Sequence, residues 1–387
     1  MAEAVIVDAV RTPIGRAFKG SLAQLRPDEM GAFVVDALLE RNPELDPALV
    51  EEVYCGVGLP QGLQAFNMGR IIALRSQRLP LSVNGATVSR YCASSLESIR
   101  QAANAVVAGQ GDAYIAAGVE WVSRYNEAVE GARPQDQNEH LQGKNGDPDA
   151  YITMGLTAEN VAERYEVSRA DMDKYAQRSQ EQAVASQENG YFDREIVSVT
   201  LPDGTVAAKD DGPRASSTLE KLAELEPVFK ENGKVTAGNS CPLNDGAAAV
   251  LVMSAGKADE LGLKPRARVI TSATAAIEPE YMGVAPIWAI QQVLERAGMT
   301  IEDVDTVELN EAFAAQVIPI MDQCNIPLDK LNPHGGAIAL GHPFGMTGAR
   351  IMTTLLNGLE TDDRTIGLET MCVAGGQGQA MLVERLN

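Results

Sequence analysis

Two glycine-rich stretches near the C-terminus carry side chains able to move protons and form covalent bonds. Residues 332–350 hold His334 and His342, two of the three histidines in the chain, among five glycines. Residues 371–378 place Cys372 ahead of Gly375, Gly376 and Gly378. Glycines crowded ahead of a helical pattern let a ligand approach bare backbone, and a histidine held there titrates near neutrality. A third candidate, Cys92, falls where a strand pattern turns into helical spacing, with the small residues Ala93, Ser94 and Ser95 around it. A helix N-terminus favours thiolate, the nucleophilic form of cysteine. Each residue also has a structural reading: a buried hydrogen-bonded histidine in a tight turn, or a thiol acting as a small hydrophobe. Taken together they suggest a Cys/His site.

The elements that must position these groups read as alternating strands and helices. Residues 4–10 form a buried strand pattern, and Met30, Phe33, Val34, Ala37 and Leu38 recur at helical spacing. Residues 53–56 form another short strand, which makes Cys55 core packing. Leu96, Ile99, Ala103 and Val106 continue the helix that starts at Cys92, and residues 113–118 supply the next strand. From residue 266 the pattern recurs: a strand at 267–271, a helix at 287–296, a strand at 306–309, and a helix starting at Asn310. The stretch around His342 leads into Ile351, Met352, Leu355, Leu356 and Leu359 on one helical face. In each half a small-residue turn precedes a helix and then a strand ending in glycines, a weak internal duplication of α/β units.

The segment between the halves differs in character. Residues 131–140 and 143–148 are polar and turn-rich, with His140 on a solvated loop, and helices are expected at 157–165 and 169–189. Residues 234–246 are again dense in turns before a buried strand at 247–253. The expected organisation is a first half over 1–118, completed by 242–265; an inserted loop domain over 119–241; and a second half over 266–387.

Composition narrows the function. A chain of 387 residues with 45% hydrophobic and 22% charged content is an ordinary globular enzyme-sized protein of more than one core. Its net charge of −21 argues against nucleic acid and anionic membranes, so any anion site needs its own basic residues. The five cysteines are scattered without zinc-motif spacing or a disulfide framework. No apolar run is long enough to span a bilayer, and neither a leader nor a peroxisomal address is expected from the residues at the two ends. A cytoplasmic protein with free thiols and no metal is expected.

Over essentially its whole length the sequence resembles the thiolases. The resemblance rests on residues 11–15, the segment around Cys92, residues 154–159, 236–239 and 244–246, Asn310 to Ala314, residues 335–343, and Met371-Cys372 with its glycines. It implies duplicated α/β halves packed as α-β-α-β-α layers with an inserted loop domain. It also implies thiolytic cleavage of 3-ketoacyl-CoA in fatty-acid degradation, with coenzyme A as substrate and no bound cofactor. By this resemblance Cys92 is the acylated nucleophile, activated by His342. Cys372 would be the acid and base at the substrate carbanion, and Asn310 would hold a water that, with His342, faces the enolate oxygen. The backbone N–H groups of Cys92 and Ala374 would form the second oxyanion hole. Coenzyme A would contact the inserted domain, with Arg214 towards the adenine end and Cys241 where a serine is common. Met154, Met282, Phe313 and the loop around Tyr91 and Cys92 would line the acyl pocket. A homodimer or homotetramer, or one subunit of a β-oxidation complex, is implied.

The chain departs from the family pattern at several positions. Ser94 and Ser95 stand near the nucleophile where glycine is common, Ala374 replaces a glycine, Thr153 replaces a histidine, and His334, read as structural, replaces an asparagine. The runner-up activity is acetyl-CoA acetyltransferase, the condensation of two acetyl-CoA. A non-catalytic lipid-transfer relative would have no need of both cysteines. A papain-like hydrolase would lack the signature around its cysteine, and a decarboxylating condensing enzyme would want a histidine where Asn310 stands.

Overall fold

The computed structural model describes residues 2–124 and 137–387, so part of the expected turn-rich segment at 131–140 lies outside the described residues. Twelve strands occur among the described residues in chain order: β1 (Ala4–Arg11), β2 (Gly15–Arg16), β3 (Val50–Gly56), β4 (Asn84–Val88), β5 (Ala113–Trp121), β6 (Val199–Thr200), β7 (Val206–Ala207), β8 (Asn244–Ser254), β9 (Ala267–Ala276), β10 (Thr306–Leu309), β11 (Ile366–Val373) and β12 (Gln377–Arg385). β6 and β7 pair with each other, and the rest form one hydrogen-bonded succession, β10-β11-β12-β9-β1-β8-β5-β3-β4, with β2 on β8.

That succession is two copies of one pattern. Outward from the centre, β1 to β8 and β8 to β5 are antiparallel, then β5 to β3 is parallel. On the other side β9 to β12 and β12 to β11 are antiparallel, then β11 to β10 is parallel. Strand pairing between the copies is confined to the Val5–Arg268 and Ile6–Ala267 pairs of β1 and β9. β5 and β11 occupy equivalent places, and each directly follows a long helix, Ser94–Val107 and Thr347–Thr361 respectively.

Hydrophobic patterning explains the layering. Along β8, Ala248, Val250 and Val252 join one core while Ala247, Ala249, Leu251 and Met253 join another, because strand side chains alternate between two buried faces. The first of these cores encloses the helices Ser94–Val107 and Thr347–Thr361 between the halves, through Leu96, Ile99 and Val106 against Met352, Leu355 and Leu359. Each such buried aliphatic side chain contributes about 1.5–3 kcal/mol. Outside the first half lie Pro27–Arg41 and Met68–Arg75, and outside the second lie Pro286–Ala297 and Ala314–Gln323. The result is the expected α-β-α-β-α order.

Gly348 sets the approach of the two central helices. A Cβ there would stand 2.2 Å from the Leu96 backbone nitrogen, so only glycine lets the start of one helix rest on the start of the other.

Two local expectations shift. β5 runs to Trp121, past the expected boundary at 118, because pairing with β8 continues to Trp121–Asp245. Asn310 does not open a helix. Its N–H donates to Thr370 O at 3.0 Å, the backbone is still extended at Phe313, and the helix begins at Ala314. The turn from Asn310 to Phe313 is therefore free to present side chains at the end of β10.

Candidate active site

The ends of β10 and β11 and the starts of the two central helices converge on one place. Cys92 sits in a single helical turn, Tyr91–Ala93, directly before Ser94–Val107. Ser94 braces that turn: its hydroxyl accepts from Arg90 N at 2.9 Å and donates towards Tyr91 O at 2.6 Å. The Ser95 hydroxyl accepts from Ala349 N at 2.9 Å, tying the nucleophile segment to the opposite helix. Both serines, departures from the family's glycines, are thus structural struts.

His342 is carried by the turn ahead of Thr347–Thr361. Gly341 before it has φ +114°, and a Cβ there would lie 2.4 Å from the Asn244 side chain, so glycine is required on two counts. Asn244 in turn accepts from the His342 N–H at 3.1 Å and donates to Gly15 O at 3.0 Å. The imidazole is buried, with Nε2 3.3 Å from Asn310 Nδ2 and Nδ1 2.6 Å from Thr347 Oγ1. Burial first, and then the nearby Arg350 guanidinium, lower its pKa to about 3, so the ring is neutral at physiological pH.

Cys372 ends β11, fully buried, with its Sγ 3.1 Å from Gln316 Oε1. Gln316 Nε2 donates to Asn310 O at 3.3 Å, so one amide ties the second thiol to the asparagine turn. Burial pushes the Cys372 thiol up to about 11, which keeps it protonated and able to act as an acid. The Cys92 thiol is also raised well above its ordinary value, by burial first and then by the neighbouring Cys372 and Cys241 sulfurs; the Ala374 N–H, hydrogen-bonded to it, works the other way. Ala374 precedes Gly375 and Gly376, both at positive φ, which turn the loop over Cys92. A buried thiol next to a neutral imidazole needs its proton removed at the moment of attack.

Two cavities lead to this cluster. An inner one of about 510 Å³ is walled by Cys92, Ala374, Leu59, Met154, Phe229 and Phe344, among others. An outer one of about 460 Å³ carries Arg16, Arg214, Lys221 and Cys241, and the two share Phe229 and Leu243. The His342 ring lies 5.0 Å from the Phe344 ring, placing it beside the inner wall. Of the residues expected at the acyl pocket, Met154 and Tyr91 line it, whereas Met282 and Phe313 are buried in the core behind it. Phe313 meets the cavity wall through an edge-to-face contact with Phe229 at 6.3 Å between centroids. His334 stacks on Tyr191 at 3.7 Å, and His140 is exposed beside Glu139 and Asp147; neither belongs to the cluster.

Four residues of this neighbourhood escaped the sequence reading of single positions. Gln316 and Thr347 each orient a neighbouring polar group, and their only signal was a polar residue inside an apolar helix start. Glu120, fully buried at the end of β5, accepts from Gly58 N and Gly345 N, both at 2.7 Å, and from Gln64 Nε2 at 2.6 Å. It ties the inner-cavity loop to the His342 loop. Burial raises its pKa to about 7, against the pull of those donors. Asn244 was visible only as part of a turn.

A thiol at a helix start, a neutral buried histidine and a second protonated thiol at the junction of two duplicated α/β halves define a cysteine-dependent acyltransferase. The chain belongs to the thiolase family: residues 4–256 match the thiolase N-terminal domain and residues 263–385 the thiolase C-terminal domain. It is 44% identical to a "Beta-ketoadipyl-CoA thiolase" of Acinetobacter baylyi over 100% of both chains. It is 41% identical to a "3-ketoacyl-CoA thiolase" of Saccharophagus degradans, over 99% of this chain and 98% of the relative. The dimeric peroxisomal thiolase of Saccharomyces cerevisiae superposes with a TM-score of 0.93 at 37% identity, over 100% of this chain and 98% of that one.

Proposed function

We propose that the protein cleaves 3-ketoacyl-CoA with coenzyme A, giving acetyl-CoA and a shortened acyl-CoA through an acyl-Cys92 intermediate. The observation that carries this reading is the second buried thiol: Cys372 stands beside Cys92 and is clamped to the Asn310 turn by Gln316, an arrangement a simple cysteine hydrolase does not need. In the proposed cycle His342 Nε2 takes the Cys92 proton as sulfur bonds to the keto carbon. The alkoxide is met by the Cys92 and Ala374 N–H groups. The bond between C2 and C3 breaks, and the enolate oxygen is held by the newly protonated Nε2 and through Asn310. Cys372 gives its proton to C2. The Cys372 thiolate then takes the proton of the incoming CoA thiol, whose sulfur attacks the acyl group, and departing Cys92 recovers its proton from Nε2. No metal or redox cofactor enters this cycle.

Coenzyme A would enter through the outer cavity, where Arg16, Arg214 and Lys221 offset an otherwise acidic surface. Arg214→Ala should raise the KM for CoA roughly 2- to 10-fold with kcat little changed, as loss of a partly solvated charge contact does. An unchanged KM would return Arg214 to the role of a solvated surface arginine.

Chain length is the direct test of substrate class. The described residues of the inner wall carry no charged side chain, which suits an uncharged alkyl group. Each buried methylene is worth ~0.8 kcal/mol, so kcat/KM should rise roughly fourfold per methylene from acetoacetyl-CoA until the chain fills the cavity. A 3-ketoacyl-CoA ending in a carboxylate should be poorer than the alkyl chain of equal length, because an ion buried without a partner is costly. A steep fall from C4 to C8 substrates would make the protein an acetyl-CoA acetyltransferase instead. Preference for the terminal carboxylate would align it with the Acinetobacter relative. A cytoplasmic homodimer or homotetramer serving β-oxidation, alone or in a complex, completes the proposal. The dimeric state of the yeast relative supports the oligomer, as do the exposed Phe66 and Leu81 beside edge strand β4.

A further inference from the structure

We propose that Thr347 is a positioning residue that fixes the tautomer of His342, leaving Nε2 bare to take the Cys92 proton. This inference rests on the proposed role of His342 and adds what sets its competence. The argument is a proton count. A neutral imidazole carries one N–H, and which nitrogen holds it follows from the partner of the other. Thr347 Oγ1 lies 2.6 Å from His342 Nδ1 and 2.8 Å from Pro343 O, and its hydroxyl has one proton to give.

Two arrangements satisfy those distances. In the first, the Thr347 hydroxyl donates to Pro343 O, so its oxygen accepts from Nδ1–H, and Asn310 Nδ2 donates to the bare Nε2 at 3.3 Å. That makes three hydrogen bonds. In the second, the hydroxyl donates to Nδ1, Nε2 carries the proton, and the Asn310 amide is turned so that Oδ1 accepts. This makes two bonds and pairs Asn310 Oδ1, which otherwise has no partner among the described residues.

The helix itself favours the first arrangement. Threonines in helices commonly give their hydroxyl proton to the carbonyl four residues back. Thr353 does so to Ala349 O at 2.7 Å, in the same helix and at the same spacing as Thr347 to Pro343, whereas the Thr354 hydroxyl also has Glu195 Oε2 within 3.2 Å as an acceptor. Thr347 is fully buried, so no solvent competes for its proton.

The tautomer matters because one atom has two successive tasks. A bare Nε2 accepts the Cys92 proton and, once protonated, donates to the enolate oxygen. An Nε2 already protonated could still donate to an enolate but could not activate Cys92. Losing the Thr347 acceptor should therefore harm acylation more than enolisation.

The test compares Thr347→Val with Thr347→Ser in the full-length enzyme. Acylation of Cys92 by acetyl-CoA is measured by rapid-quench mass spectrometry, and enolisation by deuterium exchange at C2 of acetyl-CoA added to enzyme already acetylated on Cys92, the state in which the cycle leaves Cys372 as the thiolate base. Thr347→Val should slow acylation roughly 10- to 100-fold, the range for removing a histidine's orienting partner, with exchange changed by less than threefold, roughly the effect of a small repacking. Thr347→Ser should restore acylation. Isotope-labelled histidine read by nitrogen NMR should show His342 protonated at Nδ1 in the parent enzyme; only three histidines contribute, which makes assignment by His140 and His334 variants practical. Equal losses in acylation and exchange, failure of serine to rescue, or a parent spectrum with the proton on Nε2 would each overturn the proposal. Failure of thiolysis in the parent enzyme would instead refute the proposed activity, a separate outcome.

Discussion

Cys92→Ala is expected to lower kcat for acetoacetyl-CoA thiolysis by roughly 10⁴- to 10⁶-fold, the scale for loss of a covalent nucleophile. The expectation comes from where the thiol sits. Cys92 is nearly fully buried at the inner end of an apolar cavity, hydrogen-bonded from the Ala374 N–H, with its pKa raised by burial. Such a thiol is inert until a base withdraws its proton, so it should not be readily alkylated at neutral pH yet should react with a bound thioester. Incubating the parent enzyme with acetyl-CoA and mapping peptides should place the acetyl group on Cys92. Acetyl on Cys372 alone, or on no cysteine, would reject the assignment. The variant should remain folded, since the turn is braced by the Ser94 and Ser95 hydroxyls. Circular dichroism checks that point.

The second large effect separates the two acid–base groups. Cys372→Ala should abolish carbon–carbon cleavage, a loss of roughly 10²- to 10⁴-fold or more for removal of a general acid, while acetyl transfer from acetyl-CoA to Cys92 survives in part. His342→Ala should damage both half-reactions, because Nε2 is assigned to the nucleophile and to the enolate. The geometry makes the contrast reasonable: Cys372 is tied to Gln316 and the Asn310 turn, whereas His342 is held by Thr347 of the opposite helix and by Asn244 at the start of β8. Single-turnover acylation, and C2 deuterium exchange on enzyme already acetylated at Cys92, read the two steps separately. Full turnover in either variant, or equal loss of acylation in both, would refute the division of labour.

Much of the architecture was legible in the sequence because it depends on local chemistry. Short, nearly continuous apolar runs such as 4–10 and 247–253 read as strands buried on both faces, and the spacing of Leu96, Ile99, Ala103 and Val106 reads as a helix with one apolar face. Glycines at 341, 375 and 376 mark backbone that only glycine adopts comfortably, so the loops around His342 and Cys372 announced themselves. The duplicated order of turn, helix and strand was visible for the same reason. What the residues alone could not settle was whether Cys92 was a nucleophile or a packed hydrophobe, since both readings place a small thiol at a helix start.

Tertiary structure decided the rest, because the deciding contacts join residues far apart in the chain. Cys372 meets Gln316 across 56 positions, and Glu120 gathers Gly58 and Gly345 from both halves. Asn310 turned out to stand on a turn, held by the β11 backbone, where helical periodicity had drawn it into a helix. Met282 and Phe313 went into the core behind the cavity, a distinction that apolar character cannot make because wall and core favour the same side chains. The sequence by itself determined which elements form and which residue types could react. Only the packing of one central helix on the other, permitted at Gly348, determined which of those residues share a site and how Thr347 and Gln316 orient them. The physical reason is range: periodicity and backbone strain act over a few residues, whereas a buried polar group must find its hydrogen-bond partner wherever the fold brings one.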